Sequence, residues 1–229
     1  MIKIENVAVW GWETAIRGMR NPMNSWDKSD TKWVDAQSDF DEDDVPVLIA
    51  SHWEIGPNDY KLMMNLCKGG TEESKWRRMI HVTFDVTAPL YWWKEADTYK
   101  VGTVANSCST MHKIAEREFT LDDFSHEHLM DKPMPDVFQV KSPHDILYST
   151  IDMLNLCRNK YLETKDKSYW WQMIQLLPSS YNQRRTVDLN YEVLAAQYRQ
   201  RKNHKLTEWV KYCEWIRSLP YSEFITGEM

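Results

Sequence analysis

The chain has 229 residues, of which 42% are apolar and 27% are charged, so its composition suits one folded domain and excludes a disordered chain. Its formal net charge of −6 argues against nucleic acid or an anionic membrane as a partner, because no overall positive field exists. No stretch reaches the roughly 18 consecutive apolar residues of a membrane span, and the start lacks a signal-peptide pattern, so we expect a cytoplasmic protein. The four cysteines are far apart in sequence, which predicts reduced thiols.

The first part of the chain predicts a strand, a loop and a helix. Residues 2–9 alternate between apolar and polar side chains, which is typical of a strand with one solvated face. Residues 21–44 are polar and acidic, which predicts a solvated loop with one helical turn. A helix follows, capped by Asn58 or Asp59 and ended by Gly69-Gly70.

The clearest local pattern is residues 80–86, where every even-numbered residue is apolar and every odd one is polar, so it predicts a half-buried strand. Pro89 suits the first turn of a helix that extends to Tyr99. Apolar residues at helical spacing then predict a mostly helical C-terminal third. The predicted helical stripes are Leu147, Ile151, Leu154, Cys157 and Tyr161; Val187, Leu194 and Tyr198; and Leu206, Trp209 or Val210, Cys213 and Ile216.

Two small groups of residues could form a metal or catalytic site. His126, His128 and His144 carry imidazoles that can bind zinc, but their spacing matches no familiar metal motif, so we expect no metal. Cys108 could act as a nucleophile with His112 as its base. A lone cysteine among hydroxyl side chains is more often structural, and we favour that interpretation.

Aromatic pairs and basic residues suggest a nucleotide as a ligand. Trp92-Trp93 and Trp170-Trp171 could stack on a planar ring, although packing in a core or an oligomer interface is the more common use. Basic side chains brought together by the fold could hold phosphates, the alternative being scattered surface charges. The residues concerned are Lys94, Lys100, Arg184, Arg185 and Arg201.

Motifs in the middle of the chain follow a recognisable order. Residues 84–91 read F-D-V-T-A-P-L-Y, similar to a strand that ends in F-x-V-x-A-P before a helix. Thr98-Tyr99-Lys100 follows, and residues 106–112 then read N-S-C-S-T-M-H, similar to N-E-x-S-x-R-Y.

Further motifs continue that order in the second half. Leu177-Pro178 followed by Tyr181 resembles L-P-x-x-x-Y, and Asn190, Leu194 and Arg201 have the spacing of N-x-x-x-L-x-x-x-x-x-x-R. Each motif is short, and their collinearity over most of the chain carries the argument. In this order of motifs the chain resembles the flavin-dependent thymidylate synthases.

The departures from the family pattern fall on residues that carry its chemistry. Thr98-Tyr99-Lys100 stands at the family's Arg-His-Arg flavin motif, and Glu95 replaces a glutamine that contacts dUMP. Ser107 and Met111 replace a glutamate and an arginine. Each lost arginine contact with a phosphate costs on the order of a hundredfold in affinity. Lys100 keeps one positive charge of the flavin motif.

The resemblance implies an α+β fold in which residues 1–229 form a single domain, with a twisted, mostly antiparallel sheet and packed helices. It also implies a homotetramer with sites at subunit interfaces, FAD as cofactor, NADPH and a methylene folate as co-substrates, and a pyrimidine nucleotide such as dUMP as substrate. Glu95 could favour a base with an amino group, such as cytosine, because a carboxylate only accepts hydrogen bonds.

The resemblance also assigns roles to individual residues. The expected catalytic residues are Ser109 and Arg201; the cofactor-binding residues are Thr98, Tyr99, Lys100, Asn106 and Asn190; and the substrate-binding residues are Glu95, Ser109, Arg184, Arg185 and Arg201. Two functions remain open: an enzyme that transfers a one-carbon unit to C5 of a pyrimidine deoxynucleotide, and an inactive relative kept for nucleotide binding, assembly or a partner.

Overall fold

A computed structural model describes residues 2–40, 45–134 and 142–228. Helices and strands are numbered in chain order. The strands are β1 Lys3–Trp10, β2 Lys32–Val34, β3 Gln37–Phe40, β4 Pro46–Ile49, β5 His52–Glu54, β6 His81–Pro89, β7 Thr103–Ser107 and β8 Asn182–Asn190. The helices are α1 Trp12–Arg20, α2 Pro57–Lys68, α3 Leu90–Ala96, α4 Thr110–Lys113, α5 Pro143–Thr164, α6 Lys167–Leu176, α7 Tyr191–Arg201, α8 Thr207–Arg217 and α9 Glu223–Thr226.

The main sheet has the strand order β1-β6-β8-β7, and each neighbouring pair is antiparallel. Strand β6 buries its even-numbered side chains, as its alternation predicts. Its register with β8 sets Phe84 opposite Val187 and Val82 opposite Leu189, so four apolar side chains share one face. The mixed helical and antiparallel architecture confirms the predicted α+β fold class.

Helices cover the apolar face of this sheet. The buried cluster on that face includes Trp12 of α1, Trp92 of α3, Tyr198 of α7 and Trp209 of α8. Trp209 is completely buried and its ring lies 4.8 Å from that of Trp92. The aromatic side chains near the motifs are therefore mostly core residues, and they fix how α3 and α8 meet.

A second buried cluster lies beneath the hairpin of α5 and α6 and contains none of the main-sheet side chains. Its members are Ile114, Phe119, Phe124, Leu147, Ile151, Leu154, Cys157 and Met173. Ser142 and Asp145 form a reciprocal capping box at the start of α5, and Lys165 ends it in the left-handed region at φ 60°. The stripe predicted from Leu147 onward is the buried face of α5.

The loop predicted for residues 21–44 contains more structure than expected. Strand β2 pairs with β5, and β3 pairs with β4, in two small antiparallel ribbons. Their partners lie further along the chain, so no pattern within 21–44 reveals them. Residues 41–44 of the acidic string lie outside the described residues.

The start of α2 differs from the prediction. Neither Asn58 nor Asp59 caps the helix with its side chain; instead Asp30 accepts hydrogen bonds from their backbone N–H groups at 2.9 and 3.0 Å. Asp59 is buried and accepts from Arg20 Nε at 2.6 Å, with Ser29 and Thr31 as further donors. Asp30, from a loop distant in sequence, thus caps the start of α2, and Asp59 of α2 in turn holds that loop in place.

Two other boundaries also differ from the predictions. Val187 belongs to β8 rather than to a helical stripe, because β8 is hydrogen-bonded on both edges, to β6 and β7. Pro89 is the last residue of β6, and α3 ends at Ala96 rather than Tyr99. The stripes that contain Leu194 and Trp209 do form helices, α7 and α8. Among the described residues, no helix combines the length and the apolar character needed to cross a bilayer.

Candidate functional site

Glu95 lies at the centre of a polar cluster between the end of α3, the end of α7 and the start of α8. Its Oε2 accepts a hydrogen bond from the indole Nε1 of Trp209 at 2.9 Å. The same oxygen lies 3.0 Å from Nη1 of Arg201 and 3.5 Å from Nε2 of His204. Three donors therefore meet one carboxylate oxygen, and the second oxygen has no hydrogen-bond partner in the described part of the chain.

Arg201 is held from several sides. Its Nε donates to the Tyr99 hydroxyl at 2.9 Å, and its guanidinium lies over the Trp209 ring at 4.9 Å from the centroid. Tyr99 in turn donates to Gln200 at 2.8 Å. With the Glu95 ion pair, these contacts commit two of the three guanidinium nitrogens, so a phosphate gripped by Nη1 and Nη2 would compete with Glu95. We name Glu95, Tyr99, Arg201, His204 and Trp209 the Glu95 cluster.

The turn after α3 carries the other two residues of the diverged motif. Thr98 donates its hydroxyl to the Glu95 carbonyl at 2.7 Å and so closes the end of the helix. Lys100 is exposed, and no ion pair involves it within residues 2–40, 45–134 and 142–228. Gly102 has φ +76°, and a Cβ there would lie 3.0 Å from Nδ2 of Asn190. A glycine at this position therefore lets the turn pack against the start of α7.

Asn190 acts locally as a helix cap. Its Oδ1 accepts a hydrogen bond from the backbone N–H of Val193 at 3.1 Å, and only 8% of the residue is exposed. This contact satisfies one of the free N–H groups at the start of α7. The structure thus gives Asn190 a structural role, beside the cofactor-binding role that the resemblance implies.

The two arginines of β8 lie on opposite faces of the sheet. Arg184 pairs with Asp85 at 2.6 Å. Hydrogen bonds to Asp85 from Thr186 and Arg184 are the main causes that hold the pKa of its carboxyl well below the usual range. Arg185 faces the other way, where it pairs with Asp97 at 2.7 Å and stacks on Trp93 at 4.1 Å. Adjacent strand residues alternate faces, so these two cations cannot hold the same phosphate within one chain.

Ser109 lies in a different cleft of about 370 Å³, together with Cys108, Arg117, Asp123 and Arg184. Its Oγ accepts from the backbone N–H of residue 112 at 3.2 Å, so it caps the short helix α4. The described residues show no hydrogen bond between the Cys108 thiol and the imidazole of residue 112. Asn106 lies on β7 opposite Thr186.

Six of the ten predicted site residues therefore fall into two groups. Glu95, Tyr99 and Arg201 meet in the Glu95 cluster, with Lys100 beside Tyr99 in sequence, whereas Ser109 and Arg184 line the other cleft. His204 and Trp209 complete the first group, and neither was predicted as a site residue. The sequence signal that could have pointed to this cluster is Glu95 itself, because a carboxylate at the family's glutamine position needs a nearby cation or hydrogen-bond donor.

The histidines considered as metal ligands have separate partners. His128 contacts the Thr207 hydroxyl at 3.0 Å, and His144 pairs with Asp131 at 3.0 Å. His126 contacts the Phe124 carbonyl at 2.9 Å. In the described residues no three His, Cys, Asp or Glu side chains form a group that could hold a metal ion.

Comparison with known proteins places this geometry in a known fold. No family model and no curated protein matches the sequence. Among solved structures, two of the flavin-dependent thymidylate synthase ThyX from Helicobacter pylori, each with FAD and dUMP, match with TM-scores of 0.64 and 0.66 at 14% and 12% identity. These matches cover 97% and 99% of this chain, and 99% and 98% of those chains. The chain has the ThyX fold.

A third similar structure belongs to a protein named as a methylase. The UMP/dUMP methylase PolB from Streptomyces cacaoi, bound with 5-Br dUMP, matches with a TM-score of 0.58 at 14% identity. The match covers 99% of this chain and 95% of that one. The ThyX fold therefore occurs in proteins with more than one stated nucleotide substrate, and the predicted family resemblance in fold is confirmed.

Proposed function

We propose that this protein is a ThyX-like enzyme that binds a pyrimidine nucleotide, dUMP or a close relative, and transfers a one-carbon unit to C5 of its base. Support comes from the ThyX fold over nearly the whole chain and from neighbours bound to dUMP or its bromo analogue. The observation that carries the proposal is the Glu95 cluster. It joins a cation, an acceptor and aromatic surfaces in the region where the family resemblance implies a nucleotide site.

The residues of this region suit FAD as the cofactor. Tyr99 offers a flat ring, His204 a second ring, and Lys100 a cation without an ion pair in the described structure. These are the surfaces that a flavin and its diphosphate require. When bound, the flavin would supply the reducing power, and a methylene folate the carbon, with NADPH as the electron source.

The chain's own residues would bind and orient the substrate. In this proposal Arg201 contacts the nucleotide through the nitrogen that Glu95 and Tyr99 leave free, while Glu95 offers its second oxygen to a donor on the base. The anchored carboxylate keeps the guanidinium orientation fixed before the ligand arrives, which lowers the entropic cost of binding.

Assembly would complete the site. Ser109 and Arg184 line a cleft separate from the Glu95 cluster, so we propose that a second copy of the chain brings them to the nucleotide in a homotetramer. We also propose that residues 1–229 form one ThyX-like domain. Light scattering at micromolar concentration is expected to show four chains, and a monomer of about 27 kDa would contradict the shared site.

A second candidate function is nucleotide binding or assembly without turnover. Arg184, Arg185 and Arg201 are each paired with a carboxylate, and this specific observation favours it. Paired cations bind phosphate more weakly than free ones, because the ligand must displace or share the carboxylate.

One experiment separates these functions. Purified protein is mixed with FAD, and bound flavin is measured by its absorbance at about 450 nm. dUMP, methylene folate and NADPH are then added and the C5-methylated product is measured. Flavin uptake with product supports the enzyme, and nucleotide binding without either supports the second candidate.

Arg201→Ala is expected to weaken dUMP binding without unfolding the chain, and an unchanged dissociation constant would refute the role of Arg201.

A further inference from the structure

A cavity of about 160 Å³ lies between one face of helix α1 and the segment that leads into the β2–β5 ribbon. Trp26 and Trp53 form part of its wall. Ile16 of α1 adds an apolar side chain that is only 5% exposed. No residue of the Glu95 cluster lines this cavity, so it is separate from the proposed nucleotide site.

The two indole rings of the wall are held in place by their neighbours. Trp26 donates its Nε1 to Asn21 Oδ1 at 2.8 Å, and the ring of Trp53 lies edge to face with that of Trp33 at 5.4 Å. Aromatic side chains that are oriented before binding lose little freedom when a ring packs against them. An apolar cavity of about 150 Å³ in another protein holds one benzene molecule, so the present cavity accommodates one six-membered ring.

Three polar side chains of the lining are already committed to Asp59. Ser29 and Thr31 donate their hydroxyls to the Asp59 carboxylate at 2.7 and 2.8 Å. Arg20 is 4% exposed and donates Nε to the same carboxylate at 2.6 Å, so Asp59 balances its charge. The charge that a ligand would meet therefore comes from the two exposed side chains of α1 that line the cavity.

These two side chains are Glu13 and Arg17, which lie about one helical turn apart and are both exposed. A glutamate four residues before a basic residue is the favourable order for an ion pair, yet the two form none in the described structure. Glu13 lies in the first turn of α1 and Arg17 in the last, so each also suits the dipole at its end of the helix. A ligand with one charge would be attracted by one of these side chains and repelled by the other. A zwitterion satisfies both.

We propose that this cavity binds a free α-amino acid with a single aromatic ring, such as phenylalanine. The ring packs against the indoles of Trp26 and Trp53, while at the exposed side the carboxylate meets Arg17 and the ammonium meets Glu13. A residue within a peptide lacks at least one of these two charges, so the ligand is the free amino acid. The inference stands apart from the proposed one-carbon transfer, because it requires neither flavin nor turnover.

The test compares four probes, three of which each lack one group of phenylalanine. 3-Phenylpropanoate lacks the ammonium, 2-phenylethylamine lacks the carboxylate, and glycine lacks the ring. Each is titrated against the full chain, with binding followed by ligand-observed NMR. We expect saturable binding of phenylalanine and about tenfold weaker binding of the other three, because each has lost one contact.

Charge variants test which side chain meets which group. Arg17→Gln should weaken phenylalanine and 3-phenylpropanoate about tenfold without weakening 2-phenylethylamine. Glu13→Gln should weaken phenylalanine and 2-phenylethylamine without weakening 3-phenylpropanoate. The matched controls are Arg199→Gln and Glu214→Gln, which remove the same charges from exposed positions on α7 and α8, outside the cavity. Neither control should change the binding of any probe.

A third variant tests the aromatic wall. Trp26 is 51% exposed, and Trp171 of α6 is 49% exposed, so Trp171→Ala is a matched control for Trp26→Ala. Trp26→Ala should weaken all three probes that carry a ring, and Trp171→Ala should weaken none.

Several results would overturn the proposal. These are the absence of saturable phenylalanine binding, equal binding of a probe that lacks one charge, or a control that weakens binding as much as its matched variant. Binding that survives all three variants would lie elsewhere on the protein and contradict the assigned cavity. Circular dichroism checks that each variant is folded, and if one is not, the comparison of the four probes on the native chain decides alone.

Discussion

Replacing Glu95 with glutamine tests how the site balances its charges. The carboxylate Oε2 lies 3.0 Å from Nη1 of Arg201 and accepts from Trp209 at 2.9 Å. The amide oxygen of Gln is similarly placed and can still accept from the indole, so packing changes little. The negative charge disappears, and the second oxygen becomes an amide N–H₂, which can donate to a carbonyl of uracil instead of accepting from the base. Arg201 then becomes an unbalanced cation, and an anionic nucleotide should bind more tightly.

The magnitude follows from distance and exposure. Coulomb's law at 3.0 Å and an effective dielectric constant of about 20 gives about 5.5 kcal/mol before solvent screening. The side chain of Glu95 is 36% exposed and that of Arg201 is 19% exposed, so solvent screens the ion pair. Double-mutant cycles on exposed ion pairs give coupling energies of about 0.2 to 1 kcal/mol. We therefore expect a coupling of about 1 kcal/mol, and Glu95→Gln should tighten dUMP binding about fivefold.

The assay is a double-mutant cycle with Glu95→Gln and Arg201→Gln, in which the free energy of unfolding is measured in urea and dUMP affinity by calorimetry. Glu163→Gln is the matched control, because it removes the same charge from an exposed pair with Lys160 on α5. The reasoning fails if the coupling is below about 0.3 kcal/mol, or if the control changes dUMP affinity as much as Glu95→Gln.

Three further outcomes are expected. Burial raises the pKa of Asp59. Hydrogen bonds from Ser29 and Thr31 and the contact with Arg20 lower it by more, so the folded pKa lies below the ordinary value of 3.8. The Asp59 carboxylate therefore stabilises the fold near neutral pH, and this contribution is lost as pH falls through the folded pKa. Asp59→Asn should lower the free energy of unfolding, measured in urea, by about 3 kcal/mol at pH 7 and by less near pH 3. An equal loss at both pH values would contradict this. Changing Thr98–Lys100 to Arg-His-Arg should tighten FAD binding, measured by flavin fluorescence, and no binding before or after the change would argue against a flavin pocket. Burial raises the pKa of Cys213 to about 11, so a thiol reagent at pH 8 should label exposed Cys108 first, as mass spectrometry of the native protein can show.

Alternation and helical spacing in the sequence predicted those strands and helices that have one buried and one solvated face. The alternation of residues 80–86 gives β6 because one face of the sheet is solvated and the other is covered by helices. The apolar stripe from Leu206 gives α8 for the same kind of reason. By contrast, β8 contains Arg184 and Arg185 in a polar stretch, and its pairing with β6 and β7 stabilises it as a strand. Non-local partners of this kind leave no periodic signal.

The site shows the same division. The family motif order located Glu95, Tyr99 and Arg201, and the structure brings these three together. The sequence could not show that Glu95 and Arg201 neutralise each other, because the two residues lie far apart in the chain and only the packing of α3 against α7 brings them together. Nor could it show that Arg184 and Arg185 diverge, since that depends on assigning them to a strand rather than to a loop.

The separate cluster beneath α5 and α6 has a dynamic consequence. Its buried side chains contact one another and not the main core, so the helical hairpin can lose its packing while the sheet stays closed. Amide hydrogens of α5 and α6 should then exchange through their own opening event, at lower free energy than those of β6 and β8. The helical hairpin and the main sheet would then unfold as two cooperative units, although both belong to one chain.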